Sequence, residues 1–280
     1  MGKRRNREDR SIEEKLNKFA EYLEERELSQ NTISAYTTSM RQFFESHSEV
    51  SKKNALAWKQ ELQERGLSPK TINIRLNAYN TYCAMLGNHA GSVKTMHVHQ
   101  ASTISNVISE ADYKKLLSGL AYDENWRWYF GVKLLAMTGA RVSEYIRLKK
   151  SDFDRGYAEM WTKGKIRRIY IPDSFRKEAS KHYSRLESGD RLIQNRYGCQ
   201  FTSRGVAEAL QSLAERYGID KKVMHPHSFR HLFAIEFLQR NSNLSLLADV
   251  MGHSSVSTTA IYTRMTQEQQ ISAVNNVVNW

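Results

Sequence analysis

Between Gly87 and Val107 large apolar side chains stop recurring at three- and four-residue steps, and this single lapse dictates a two-part fold. A stretch dominated by Gly, Ser, Thr, His, Asn and Gln buries too little apolar surface to offset the entropy of ordering it in a core. We therefore assign a linker to 91–107. Before it the helical period is strong. Ile12, Leu16, Phe19, Tyr22 and Leu23 mark one helix, and Ile33, Tyr36, Met40, Phe43 and Phe44 mark a second after Ser29, whose hydroxyl suits an N-cap. A third helix is expected from Asn54 to Arg65, ending at Gly66. A fourth opens at Ser68-Pro69, with serine as cap and proline at the first helical position, and runs through Ile72, Leu76, Tyr79, Tyr82 and Met85. An all-helical domain over 11–90 follows. Residues 1–10, with five basic side chains against two acidic ones and no apolar period, read as a flexible basic tail.

Helical signals resume at Ser109, a cap followed by acids in the first turn. Helices are predicted over 125–137, after Gly139, and over 174–186, 203–217, 226–239 and 244–251. Tyr157 to Thr162 and Arg168 to Ile171 read as two short strands joined at Lys163-Gly164-Lys165, where glycine favours a hairpin turn. A tail helix after Thr266 carries Ile271, Val274, Val277 and Val278 at helical spacing, an apolar stripe that needs a surface to cover it. The fold class is thus mainly α: a helical N-terminal domain, then a mixed α/β domain over 108–280, mostly helical with a small antiparallel sheet.

At 280 residues the chain is long enough for both domains to bury cores, and its 40% hydrophobic and 26% charged residues are a globular composition. No apolar run reaches the length of a membrane span, and no hydrophobic segment follows the basic N-terminus, so neither a membrane protein nor a secretory signal is expected. The two cysteines, Cys83 and Cys199, form no framework, and reduced buried thiols in a cytoplasmic protein are the expectation. The net charge of +12 favours a polyanionic partner, because each phosphate neutralised releases condensed counterions. Composition alone says nothing of chemistry.

The polar residues of the second domain say more. Met137-Thr-Gly-Ala-Arg141-Val-Ser-Glu144 sets an arginine after a glycine break, at the start of a helix. His225-Pro-His227-Ser-Phe-Arg230-His231 opens another helix with His227 and Arg230 on one face. Met251-Gly252-His253 closes a helix, and Tyr262 follows nine positions later. No cluster has metal-ligand spacing, and no glycine loop suits a nucleotide phosphate, so no cofactor is expected.

In this order, with Lys163-Gly164-Lys165 between them, the blocks resemble the signature of the tyrosine recombinase/integrase family, particularly its Xer-type members. The resemblance covers the whole second domain, and the N-terminal helices more loosely resemble the family's core-binding (SAM-like) domain. It implies a site-specific DNA recombinase that cuts and rejoins DNA through a covalent 3′-phosphotyrosyl intermediate and a Holliday junction. Arg141, Arg230 and His253 would hold the scissile phosphate, His227 would handle protons, Tyr262 would attack, and Lys163 would protonate the leaving 5′ oxygen. Thr162 stands where glycine is common in the family, and Lys165 competes for the lysine's role. Glu144 would orient the active-site donors, or form a surface salt bridge. His225 and His231 fall outside the matched roles and read as hydrogen-bonded structural histidines.

The resemblance further implies a duplex DNA partner with a specific recombination site, gripped between the two domains, and a homotetramer linked through the C-terminal helix. Lys165, Arg167, Arg168, Lys70, Asn73 and Arg75 are candidate DNA contacts, as are Gln30 and Asn31. Integration or excision of a mobile element, inversion and chromosome-dimer resolution all remain open. Two other readings stand beside it: a type IB topoisomerase-like enzyme that nicks and reseals, and a non-catalytic DNA-binding protein. Taken singly, each of these residues reads more readily as structure than as catalysis; six together make coincidence a poor explanation.

Overall fold

The computed structural model describes residues 2–98, 106–162, 165–253, 255–263 and 275, with the backbone alone at 2–10, Thr162 and Lys165. The chain divides into two compact units, Met1–Gln100 and Ala101–Trp280.

The first unit packs four helices, α1 (Gly2–Glu25), α2 (Gln30–Ser46), α3 (Lys52–Glu64) and α4 (Pro69–Met85), followed by a 3₁₀ turn, His89–Gly91. Serines at 29, 51 and 68 each accept a first-turn backbone N–H, which is why these helices begin where they do. Helix α1 starts at Gly2 rather than near Ser11, so residues 2–10 are not the irregular tail their polarity suggested. Arg, Lys and Glu are good helix formers and no proline interrupts them, so the amphipathic helix behind them extends backwards. Phe19, Phe43, Trp58, Tyr79 and Tyr82 form an aromatic core with ring centroids 5.0–5.2 Å apart across three pairs of edge-on or tilted neighbours. Each such side chain contributes about 1.5–3 kcal/mol by burial.

The second unit contains α5 (Glu110–Tyr122), α6 (Trp126–Thr138), α7 (Val142–Tyr145), α8 (Lys150–Arg155), strands β1 (Tyr157–Thr162) and β2 (Lys165–Tyr170), then α9 (Asp173–Tyr183), α10 (Ser203–Tyr217), α11 (Pro226–Arg240), α12 (Leu244–Met251) and α13 (Val256–Thr259), ending in a 3₁₀ turn, Ala260–Thr263. Helices α8 and α13 were not expected, since six and four residues are too few to show a period. Strand β2 begins three residues earlier than predicted. It pairs antiparallel with β1, Tyr157 opposite Tyr170 and Trp161 opposite Ile166. The alternation puts Ala158, Met160, Arg167 and Ile169 inward and Trp161, Ile166, Arg168 and Tyr170 outward. Apart from Asn275, the tail helix predicted after Thr266 lies outside the described residues, as does the hairpin's Lys163-Gly164.

Both cysteines are free thiols. Cys83 is buried as expected, but Cys199 is exposed on the loop before α10. No helix among the described residues is long and apolar enough to cross a membrane.

Candidate active site

The site is assembled by the C-terminal end of α12. The last carbonyls of a helix have no intrahelical partner and sit at the negative end of its dipole. Here three consecutive ones, on Val250, Met251 and Gly252, are each taken by a different guanidinium. Arg167 donates to Val250 O through Nε (3.3 Å) and Nη2 (3.1 Å), Arg230 Nη2 to Met251 O (2.7 Å), and Arg141 Nη2 to Gly252 O (2.9 Å). Arg230 Nη1 also donates to Gly139 O at 2.6 Å, beyond the end of α6. Gly252 makes this possible. Its φ of +61° turns the chain out of the helix, and a Cβ there would lie 2.2 Å from Arg167 Cδ.

Glu144 ties Arg141 to Arg167. Its Oε2 accepts the backbone N–H of Arg141 at 2.8 Å and a bond from Arg167 Nη1, while Oε1 accepts Arg141 Nη1 at 3.1 Å. Burial acts to raise this carboxyl; the Arg167 charge, the bonds it accepts and the Arg141 charge outweigh it, and the net is below the ordinary carboxylate range. Glu144 is therefore a buried anion that fixes Arg141, not a surface salt bridge. Arg167, by contrast, departs from its sequence reading. Expected on DNA phosphates, it is 6% exposed and spends its donors on Glu144 and Val250, because it lies on the inward face of β2.

Tyr262 enters from the 3₁₀ turn after α13 and is 6% exposed. Its hydroxyl lies 2.8 Å from Nδ1 of His231, a contact the sequence reading missed. His227 and His231 are four apart on α11, so their rings meet at 4.5 Å, edge to face. His253 stacks nearly parallel to Tyr262, centroids 6.4 Å apart. Its Nε2 is 2.9 Å from Arg230 Nη2 and its Nδ1 is 2.7 Å from Thr259 Oγ1. Since a guanidinium only donates, Nε2 accepts and Nδ1 carries the proton to Thr259.

Three guanidiniums face one carboxylate, an excess of two positive charges in a mostly buried place. Burial, then the neighbouring Arg167 and Arg141 charges, push Arg230 down to about 10. Burial and the surrounding arginines and histidines hold both His231 and His253 near 4. Burial pushes the Tyr262 hydroxyl above its usual value against the opposing pull of Arg230 and Arg141. An open groove of about 1590 Å³ runs past Arg141 and His253 and along Trp161, Ile166 and Arg168 on the outer face of the hairpin.

The depressed histidines make stability depend on pH. In the unfolded chain these imidazoles titrate near 6.5, so between that value and about 4 the unfolded state binds more protons. Their contribution is complete above pH 6.5 and lost as pH falls towards 4. We expect the thermal midpoint to drop across this window in pH-dependent calorimetry; a midpoint that stays level from pH 7 to 4 would mean the two rings are not held neutral.

The remaining sequence candidates scatter. Lys163 lies outside the described residues, as does the Lys165 side chain. His225 caps α11, its Nδ1 accepting Ser228 N–H at 3.1 Å. Lys70, Gln30 and Asn31 are exposed at helix starts, and Arg168 pairs with Glu159 on the hairpin's outer face. Asn73 is not available to bases: its amide makes a closed pair with the Met96 backbone, at 2.8 and 2.7 Å. Arg75 is half-buried, and burial lowers its guanidinium. Among the described residues no group of His, Cys, Asp or Glu has the arrangement of a metal site.

A buried tyrosine hydroxyl beside a nest of guanidiniums is the equipment of phosphoryl transfer. Residues 106–269 match the Phage integrase family and residues 16–89 the Phage integrase N-terminal SAM-like domain. The chain belongs to the phage integrase family, a family of DNA strand transferases. It is 31% identical to tyrosine recombinase XerA of Pyrococcus furiosus over 93% of each chain. It is 27% identical to tyrosine recombinase XerC of Bacillus subtilis, over 89% of this chain and 91% of that one. In fold it resembles the Tn1549 transposon integrase in complex with transposon right end DNA (TM-score 0.72, 17% identity, 94% of this chain and 99% of that one). It also resembles a lambda integrase dimer bound to a COC' core site (TM-score 0.71, 15% identity, 89% and 76%).

Proposed function

We propose that this chain is a site-specific recombinase that cuts and rejoins duplex DNA through a 3′-phosphotyrosyl link at Tyr262. The observation that supports it best is the meeting of Arg141, Arg230 and His253 beside the Tyr262 hydroxyl. Attack on a phosphodiester places two negative charges on the five-coordinate phosphorus, and the site's excess of two positive charges matches them without metal or nucleotide. Planar guanidiniums suit the non-bridging oxygens. Phosphate also raises the basicity of His253, so that its ring becomes a donor to the same oxygens. Lys163, by its place in the motif, supplies the proton that the leaving 5′ oxygen needs.

The basic chain and the DNA complexes of the integrases it resembles support duplex DNA as partner. Strand exchange between two duplexes then passes through a Holliday junction in a homotetramer, with the apolar stripe of Ile271, Val274, Val277 and Val278 joining neighbours. A topoisomerase-like enzyme would share the cleavage step but act on DNA without a preferred sequence.

The test uses the full chain and a library of randomised duplexes, each nicked so that a short 5′-hydroxyl fragment diffuses away after cleavage. We expect a denaturant-resistant adduct, a common sequence in the trapped strands, and a nucleotide on the Tyr262 peptide by mass spectrometry. Adducts without a common sequence would favour the topoisomerase-like reading; no adduct would reduce the chain to a binding protein.

A further inference from the structure

Attack by Tyr262 requires its proton to go somewhere. Burial makes the hydroxyl less acidic than usual, so almost no phenolate exists near neutrality and a base must act during the attack. His227 is the residue the sequence motif points to, yet its ring meets His231 and not Tyr262. Among the described residues the hydrogen-bond partner of the Tyr262 hydroxyl is His231, whose Nδ1 lies 2.8 Å away with the two ring centroids 5.3 Å apart. We propose that His231 is the base that takes the Tyr262 proton as the tyrosine attacks, with His227 edge-on behind it as the next ring in line. The assignment rests on the strand-cleaving function proposed above.

The surroundings keep His231 ready to accept. It is largely buried on α11, and the groups facing it are His227 and Arg230 from its own helix, His225 at that helix's N-cap, His253 from the end of α12, and Tyr262 itself. No carboxylate stands among them to stabilise an imidazolium. The ring is therefore neutral at working pH, with a lone pair on Nδ1 for the hydroxyl hydrogen. The step balances. A bond forms from Tyr262 Oη to phosphorus, the bond from phosphorus to O5′ breaks, and the departing oxygen takes its electron pair and a proton from Lys163. The tyrosine's own proton moves to Nδ1 of His231. The phosphate's negative charge offsets the imidazolium while it lasts, and rejoining returns the proton to the tyrosine.

The experiment measures the rate of adduct formation on the nicked duplex recovered with the wild-type chain, from pH 6 to 9. His231→Asn places an amide oxygen where Nδ1 was, which still accepts a hydrogen bond but holds no proton; His231→Ala removes the group. Thermal melting monitors the fold of both. We expect both variants to be slower by on the order of 10²- to 10⁴-fold, as for loss of a positioned base. We also expect the ratio of variant to wild-type rate to climb with pH as hydroxide substitutes for the ring, and added imidazole to accelerate the alanine variant. Wild-type rate in the asparagine variant would assign His231 to placement alone. A faster alanine variant would mean the contact restrains the tyrosine. Either overturns the proposal while leaving the cleavage reading intact, whereas absence of an adduct with the wild-type chain overturns both.

Discussion

Replacing Tyr262 by phenylalanine should abolish the covalent DNA adduct while leaving the protein folded and able to hold the duplex. The change removes one oxygen and one hydrogen bond, to His231, worth about 1 kcal/mol of stability. The ring stays in its apolar setting beside Leu247 and Met251. Gel-shift affinity should therefore change little, while adduct formation on nicked duplexes falls to that of protein-free DNA. Arg230→Ala is the informative companion. It removes a transition-state donor and is expected to slow cleavage by about 10²–10³-fold without moving the nucleophile off the chain. An adduct that persists in Tyr262→Phe would place the nucleophile on another residue, and the peptide map would name it.

Glu144→Ala should be the most destabilising single change at the site. The carboxylate is almost wholly enclosed, and its removal leaves Arg167, also enclosed, without its counter-charge. Breaking a buried ion pair from one side costs about 3–5 kcal/mol. Urea unfolding should record that loss in the midpoint, with Glu144→Gln less affected because the amide oxygen still accepts one bond. A loss under about 1 kcal/mol in the alanine variant would mean that Arg167 finds another partner or water. Cleavage should fall as well, since the backbone and the guanidinium of Arg141 both rest on this carboxylate.

Much of this architecture is legible from residue pattern, because capping and periodicity are local. Ser29, Ser68 and Ser109 begin helices where their hydroxyls accept first-turn N–H groups. Helices α10 and α12 run over the residues their patterns mark, 203–217 and 244–251. The misses share a cause. Arg167 looked like a DNA contact because it stands in a basic run, but two residues on lies the inward-facing Ile169, and a strand alternates. The period of two was the available signal, and an arginine on the buried face called for a carboxylate such as Glu144. His231 was set aside because the motif assigns roles to His227 and Arg230. Its spacing of four from His227 places it on the same face, but no local rule says that Tyr262 arrives opposite it. Asn73 failed likewise: its partner, Met96, lies 23 positions away.

The way α12 ends has a consequence for how this protein tolerates change in length. Val250, Met251 and Gly252 offer carbonyls, which no side-chain substitution can delete, so the composition of α12 is free to vary wherever its buried face is respected. Its register is not. One residue inserted or removed between Leu244 and His253 would rotate the terminus by about 100° and shift it about 1.5 Å. All three guanidiniums would then lose their seats at once, and His253 with them. Along α12 itself spacing is a stricter constraint than identity, while Gly252 and His253 just beyond it are bound by both.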